Sequence, residues 1–155
     1  MKMDFQVRAI SAEETRSIRH VVLWPHKPNV ESCVIDLDTD DHTHHLGAFD
    51  DQGKLVGVCS LFRQKSERFP EAISSDIHAV RLRVMGVLDE VRGQGAGAAI
   101  VHYSCRWVAA QGAEVLWCDA REVAIGFYRR MGFEFVSNFY QIEDIGPHRM
   151  MARKV

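Results

Sequence analysis

At 155 residues, the chain has the length of one domain with its own core, and 46% hydrophobic and 26% charged content mark it as an ordinary globular protein. A formal net charge of −2 leaves no basic footprint for nucleic acid. No apolar run approaches the roughly 20 residues that span a bilayer, and residues 1–5 lack the apolar stretch of a secretory signal. The expectation is a cytoplasmic protein with neither nucleic-acid nor membrane partners.

Residues 5–10 read as a short strand. Ser11-Ala12-Glu13-Glu14 is a capping box, in which the Ser11 hydroxyl caps a helix and Glu14 reaches back. That helix should run to about Leu23, because Pro25 and Pro28 stop it. Residues 29–41 are polar and acidic, a loop or short second helix with Asp36, Asp38, Asp40 and Asp41 in solvent. Residues 44–50 alternate as a strand, Asp50-Asp51-Gln52-Gly53 is a hairpin turn, and residues 54–62 form the partner strand. His42, His44 and His45 are close in sequence, but His44 and His45 project to opposite faces of a strand. That is poor geometry for one ion, and no metal is expected. Cys33, Cys59, Cys105 and Cys118 have no CxxC spacing and read as buried, reduced thiols.

After a polar loop over residues 64–76, residues 77–88 form a long central strand. A period of two puts Arg81, Arg83 and Met85 on one face and Leu82, Val84 and Gly86 on the other. Gly86 is the expected bulge, and Arg81 reads as part of a solvated face. Then comes Arg92-Gly93-Gln94-Gly95-Ala96-Gly97-Ala98, followed by an amphipathic helix to about Gln111 that Gly112 caps. A strand–Gly turn–helix order gathers backbone N–H groups at the positive end of a helix dipole, ready for phosphate. Gly93-x-Gly95-x-x-Ala98 also meets a relaxed dinucleotide fingerprint, with Asp119 near the place of a ribose-binding acid. Against that, about 90 residues of hairpin character precede the loop, where a dinucleotide fold needs it after the first strand. Residues 115–118 are a buried strand, residues 122–131 a helix ended by Gly132, and residues 133–141 and 148–152 two last strands joined by a Gly146-Pro147 turn.

Arg92, Gly95 and Gly97 form an Arg-x-x-Gly-x-Gly pattern that resembles the pyrophosphate loop of the GCN5-related N-acetyltransferases (GNAT). Gly126-Phe127-Tyr128-Arg129-Arg130-Met131-Gly132-Phe133 resembles that family's aromatic-Tyr-x-x-x-Gly-Phe helix and turn. Residues 20–25, 43–48, 82–85 and 117–121, together with Gly146-Pro147-His148, resemble the glyphosate N-acetyltransferase-like bacterial enzymes within the family. The resemblance implies an α/β fold in one domain over residues 1–155, with a mixed, mostly antiparallel central sheet flanked by helices. A splay between its fourth and fifth strands would admit acetyl-CoA.

It further implies cofactor contacts from Arg92, Gly93, Gln94, Gly95, Ala96, Gly97 and Ala98, and a backbone donor among Met85, Gly86 and Val87. His148 matches the family's proposed base and Tyr128 the acid for the leaving thiolate, while Arg83 and Arg121 match arginines that grip an anionic small-molecule amine. The chemistry is coherent. An ammonium must lose a proton before it attacks a thioester, His suits that near neutral pH, and arginine forks fit carboxylate or phosphonate.

One departure is Leu23-Trp24-Pro25, where those relatives have Leu-Arg-Pro. Trp24 would offer a flat apolar wall or a cation–π surface in place of a charge. Two other readings are acetylation of a protein or peptide amine and a non-catalytic acyl-CoA sensor. The sensor needs neither His148 nor Tyr128. No oligomeric state is implied.

Overall fold

The structure, a computed structural model, describes residues 4–155. Its strands are β1 (Gln6–Ile10), β2 (His44–Phe49), β3 (Leu55–Phe62), β4 (Ala79–Val87), β5 (Val115–Arg121), β6 (Glu134–Phe135), β7 (Tyr140–Ile142) and β8 (Gly146–Lys154). The α-helices are α1 (Ala12–Ile18), α2 (Ala96–Ala110) and α3 (Ile125–Arg130). Hydrogen bonding follows the order β1-β2-β3-β4-β5-β8-β6, with β7 on β8. The sheet is mixed and mostly antiparallel. The chain divides into two compact units, one of residues to Phe62 with Arg83–Ser104, the other of Arg63–Leu82 with Cys105–Val155.

In the first unit, local sequence signals act as read. The Ser11 hydroxyl accepts from Glu14 N–H at 3.1 Å, and Ser11 N–H donates to the Glu14 carboxylate at 2.9 Å. Helix α1 continues as a π-helical turn over Arg19–Leu23, where Trp24 N–H donates to Arg19 O at 2.9 Å and Pro25 follows. Strands β2 and β3 close around a turn in which Gly53 has φ +77°. Both strands are buried almost throughout.

The acidic loop corrects one expectation. Asp38 does not lie in solvent; it is buried at the end of a short 3-10 helix over Asp36–Thr39. Arg19, fully buried, donates to both Asp38 carboxylate oxygens at 2.7 and 2.8 Å, to Cys33 O at 3.2 Å and to the Ser60 hydroxyl at 3.0 Å. His45 bridges Ser60 and the Asp38 carbonyl at 2.6 and 3.0 Å. A charge on the interior side of α1 forces a counter-charge inward with it, because an unpaired buried guanidinium is far costlier than a paired one. Burial alone would raise the Asp38 carboxyl, but the Arg19 fork and the Ile35 N–H hold it below its usual range. Burial lowers His45.

Strand β4 corrects two more. Val84 takes the left-handed φ of +50°, whereas Gly86, the expected site of the bulge, has no positive φ. A β-branched residue in that region is strained by about 1–3 kcal/mol, so the surrounding strand must impose it. Nor is Arg81 on a solvated face. Its side chain is 16% exposed, pairs with Asp119 at 2.8 Å and lies over the Trp117 ring.

In the second unit, β4 pairs in parallel with β5 only from Ala79↔Val115 to Arg81↔Trp117, although β5 runs on to Arg121. Strand β5 pairs antiparallel with β8 from Val115↔Lys154 to Arg121↔His148. The chain's end holds three strands rather than two. The turn lies at residues 143–145, with Asp144 at φ +66°, and Gly146 and Pro147 open β8 instead of forming the turn. Ile73, Ala79, Trp117 and Met150 form a core cluster, covered by Phe69 and Ile77 of the preceding loop. Trp117 Nε1–H fastens that loop by donating to Gln64 O at 2.8 Å. All four cysteines are free and buried. No helix among the described residues is long and apolar enough to cross a membrane.

Candidate active site

The cofactor side belongs to the first unit. Residues 92–95 form turns, with Gly93 at φ +76° and Gly95 at φ +102°, and α2 begins at Ala96. These values are open to glycine and costly for other residues, which is why the loop is glycine-rich. Ala99 N–H donates to Gly95 O at 3.0 Å. The N–H groups of the first turn, at Ala96, Gly97 and Ala98, therefore precede any intrahelical acceptor. They sit at the positive end of a 15-residue helix with no acidic residue in its first turn. The residues present fit a pyrophosphate. A cavity of about 420 Å³ beside the loop is lined by Val21, Val22, Leu88, Asp89, Glu90 and Arg92.

Met85, Gly86 and Val87 directly follow Val84 with its positive φ. A Cβ placed on Gly86 would lie 3.1 Å from Val22 Cγ1, so the Arg19–Leu23 turn runs against this strand. Trp24, half-buried, ends that turn, and its ring carries the Lys27 ammonium at 4.8 Å. The cation–π face expected to be open to a ligand is thus engaged by the chain's own lysine. Arg83 is partly buried in the same unit, one residue before Val84.

The second unit brings Arg121 and His148 together. They are register partners across β5 and β8, so their side chains share a face, with Cβ atoms about 5 Å apart by strand geometry. Arg121 is exposed, whereas His148 is 4% exposed. His148 Nδ1 lies 2.9 Å from the Gly146 carbonyl. A nitrogen facing a carbonyl must be N–H, so in the neutral ring Nε2 carries the lone pair. Tyr128 is buried, edge-on to Phe127 and Phe133 at 5.2 and 5.3 Å. Phe133 N–H donates to Tyr128 O at 3.0 Å and closes α3.

Sequence reasoning missed the groups around His148. The Tyr140 ring stacks on the imidazole at 6.1 Å between centroids. Its hydroxyl donates to Asp119, whose other oxygen takes Arg81. Burial, then the bond to Asp119, pushes the Tyr140 hydroxyl far above its usual range and keeps it a donor. One signal was present. Asp119 lies two residues before Arg121, on the same strand face. Tyr140 had none, because its place opposite His148 depends on where the last turn falls. Among the described residues no three His, Cys, Asp or Glu side chains gather for a metal, and both His45 nitrogens are engaged by Asp38 and Ser60.

Known proteins share the fold. The chain is 34% identical over 148 residues, 96% of this chain and 95% of the other, to the uncharacterized N-acetyltransferase YitI of Bacillus subtilis (strain 168). Its fold is similar to that of FeeM, an N-acyl amino acid synthase from uncultured soil microbes (TM-score 0.78, 13% identity, 99% of this chain and 92% of that one). It is also similar to an acyl-CoA N-acyltransferase from Pseudomonas aeruginosa (TM-score 0.69, 23% identity, 98% and 99%) and to Arabidopsis thaliana NAA60 in complex with acetyl-CoA (TM-score 0.72, 16% identity, 98% and 99%). The model of the acetyltransferase (GNAT) family matches residues 7–133, a span from β1 through the glycine loop to the end of the α3 turn. The chain therefore belongs to the GNAT family and is an acetyl-CoA-dependent N-acetyltransferase.

Proposed function

We propose that this enzyme acetylates the amine of a small anionic molecule, amino-acid-like or aminophosphonate-like, within one domain over residues 1–155, as the glyphosate N-acetyltransferase-like enzymes do. His148 Nε2 takes the proton from the ammonium. The freed amine attacks the acetyl carbon, the C–S bond breaks, Tyr128 gives its proton to the departing thiolate, and the second proton that the nitrogen loses on forming the amide returns the phenolate to phenol. Arg83 and Arg121 hold the anion, and an N–H among Met85, Gly86 and Val87 meets the developing oxyanion. No covalent enzyme intermediate is needed, since all four thiols are buried.

The observation that carries this reading is the Arg121↔His148 register. A guanidinium and an imidazole on one face, side by side, match an anion and an amine separated by a few bonds. Trp24 removes a charge that the relatives supply, and a charge-assisted bond to an anion is worth roughly 1.5–3 kcal/mol. A doubly charged phosphonate should lose most, so we expect glyphosate to be poor and a monocarboxylate with an apolar part to be preferred.

The test is CoA release from acetyl-CoA across amino acids, aminophosphonates including glyphosate, polyamines and peptides. We expect turnover with amino-acid-like amines and a loss on the order of 10²–10⁴-fold in His148→Ala with acetyl-CoA still bound. Turnover confined to peptides or polyamines, or a His148→Ala variant as fast as its parent, would overturn the reading.

A further inference from the structure

We infer that Tyr140 is a positioning residue for His148, and that the Arg81–Asp119 pair exists to aim it. The inference rests on the reading of His148 as the base.

Tyr140 is the register partner of His148 across β7 and β8, as Arg121 is across β5 and β8. The imidazole thus lies between a guanidinium on one strand and a phenol ring on the other. The two rings are inclined by only 25° with centroids 6.1 Å apart, so the phenol lies alongside the imidazole and limits the room for rotation about its second side-chain torsion. The Gly146 carbonyl holds Nδ1 from below, at a backbone φ of +118° that glycine alone adopts readily. One flank and one edge of the ring are thus held, and Nε2 is the nitrogen left to act.

The phenol is itself over-determined. Its hydroxyl donates to one Asp119 oxygen. The Phe69 ring meets it edge-on at 5.2 Å, and the Arg68 guanidinium lies 4.5 Å over its face. Asp119 is 15% exposed and its second oxygen accepts from Arg81 at 2.8 Å, while Arg81 also donates to the Gln64 side chain at 3.1 Å. A mostly buried carboxylate in this place is expensive unless paired. It has no contact with His148 of its own in this arrangement. Its evident work is to hold the phenol hydroxyl, and through it the ring against His148. A side chain that must present one nitrogen along one line is where such bracing gains most, since a misplacement of about 1 Å costs on the order of 10²-fold in rate.

The experiment compares Tyr140→Leu, Tyr140→Phe and His148→Ala, singly and as the Tyr140→Leu/His148→Ala double variant, with CoA release and thermal melting read for each. Tyr140→Leu removes the ring and should lower kcat about tenfold or more with KM for acetyl-CoA unchanged; Tyr140→Phe keeps the ring but loses the hydroxyl bond to Asp119 that aims it, and its kcat should fall between those of the parent and Tyr140→Leu. In the double variant the Leu substitution should add nothing to the loss from His148→Ala, because a brace without its target has no effect. Full additivity in the double variant, or a parental kcat in Tyr140→Leu, would show that Tyr140 does not act through His148 and overturn the inference while leaving the base in place. A His148→Ala enzyme that turns over like its parent fails differently, since it removes the base reading itself. If Tyr140→Leu proves too unstable to assay, Asp119→Asn takes its place: it weakens the aim of the ring without removing it, and a kcat unchanged in that variant overturns the role given to the Arg81–Asp119 pair.

Discussion

At the scale of single residues, two charges held away from solvent are each held with a partner. Arg19 with Asp38 and Arg81 with Asp119 are ion pairs at 2.7 and 2.8 Å between side chains that solvent scarcely reaches. Removing one partner of a buried pair costs roughly 3–5 kcal/mol, because the other charge is left uncompensated. Asp38→Ala should therefore lower the urea midpoint far more than Asp36→Ala two residues away. The same network sets a pH dependence. Burial lowers His45, and burial followed by the His45 charge lowers His44, so the unfolded chain takes up their protons first. Their share of stability is complete above the ordinary histidine value of about 6.5 and is lost as pH falls through it. Asp38 is also lowered in the fold, so its share is complete above about 3.9 and is lost as pH falls below that. The urea midpoint should decline in two stages on acidification. His45→Gln should shrink the first stage and leave the second; an unchanged first stage in that variant would assign it elsewhere.

At the scale of elements, what was legible was local. Ser11 and Glu14 are three residues apart and make their box wherever the chain goes. The 50–53 turn, the glycine loop and the Gly112 and Gly132 helix ends are likewise settled by neighbouring residues, with both of those glycines at positive φ. The candidate site was legible in the same measure: the loop and the Arg121 and His148 positions could be named, but not their pairing. Asp38, Arg81 and Tyr140 escaped because their surroundings come from segments 19, 38 and 21 residues away. The backbone of β4 turns to positive φ at Val84 and not at Gly86 for a related reason. Glycine marks where a backbone could bend, while the sheet around Val84 decides where it does. The loop makes a prediction of its own. Gly97 lies in the first turn of α2 at no positive φ, and valine is a better helix former than glycine, so Gly97→Val should not weaken the helix but puts a branched side chain among the amides meant for pyrophosphate. Its melting temperature without ligand should stay within a few degrees of the parent while stabilisation by acetyl-CoA disappears. Retained stabilisation would move the pyrophosphate off this loop.

At the scale of the whole molecule, binding should be visible as stability. Acetyl-CoA at a hundredfold excess over Kd adds about 2.7 kcal/mol by mass action, which is roughly 5–10 °C in Tm for a chain of this size. NAD should add nothing. A shift with NAD and none with acetyl-CoA would contradict the assignment of the loop.

The buried thiols give the molecule a set of internal reporters. Burial pushes Cys59 up to about 12, and Cys105 and Cys118 are raised as well. Since thiolates, not thiols, react with alkylating reagents, the native chain should resist labelling at neutral pH. Each modification event then records a local opening. Cys33 and Cys59 lie in the first unit, Cys105 and Cys118 in the second. Mass spectrometry of peptides after timed alkylation would therefore rank the opening frequency of each unit separately, and would show which of the two acetyl-CoA quiets.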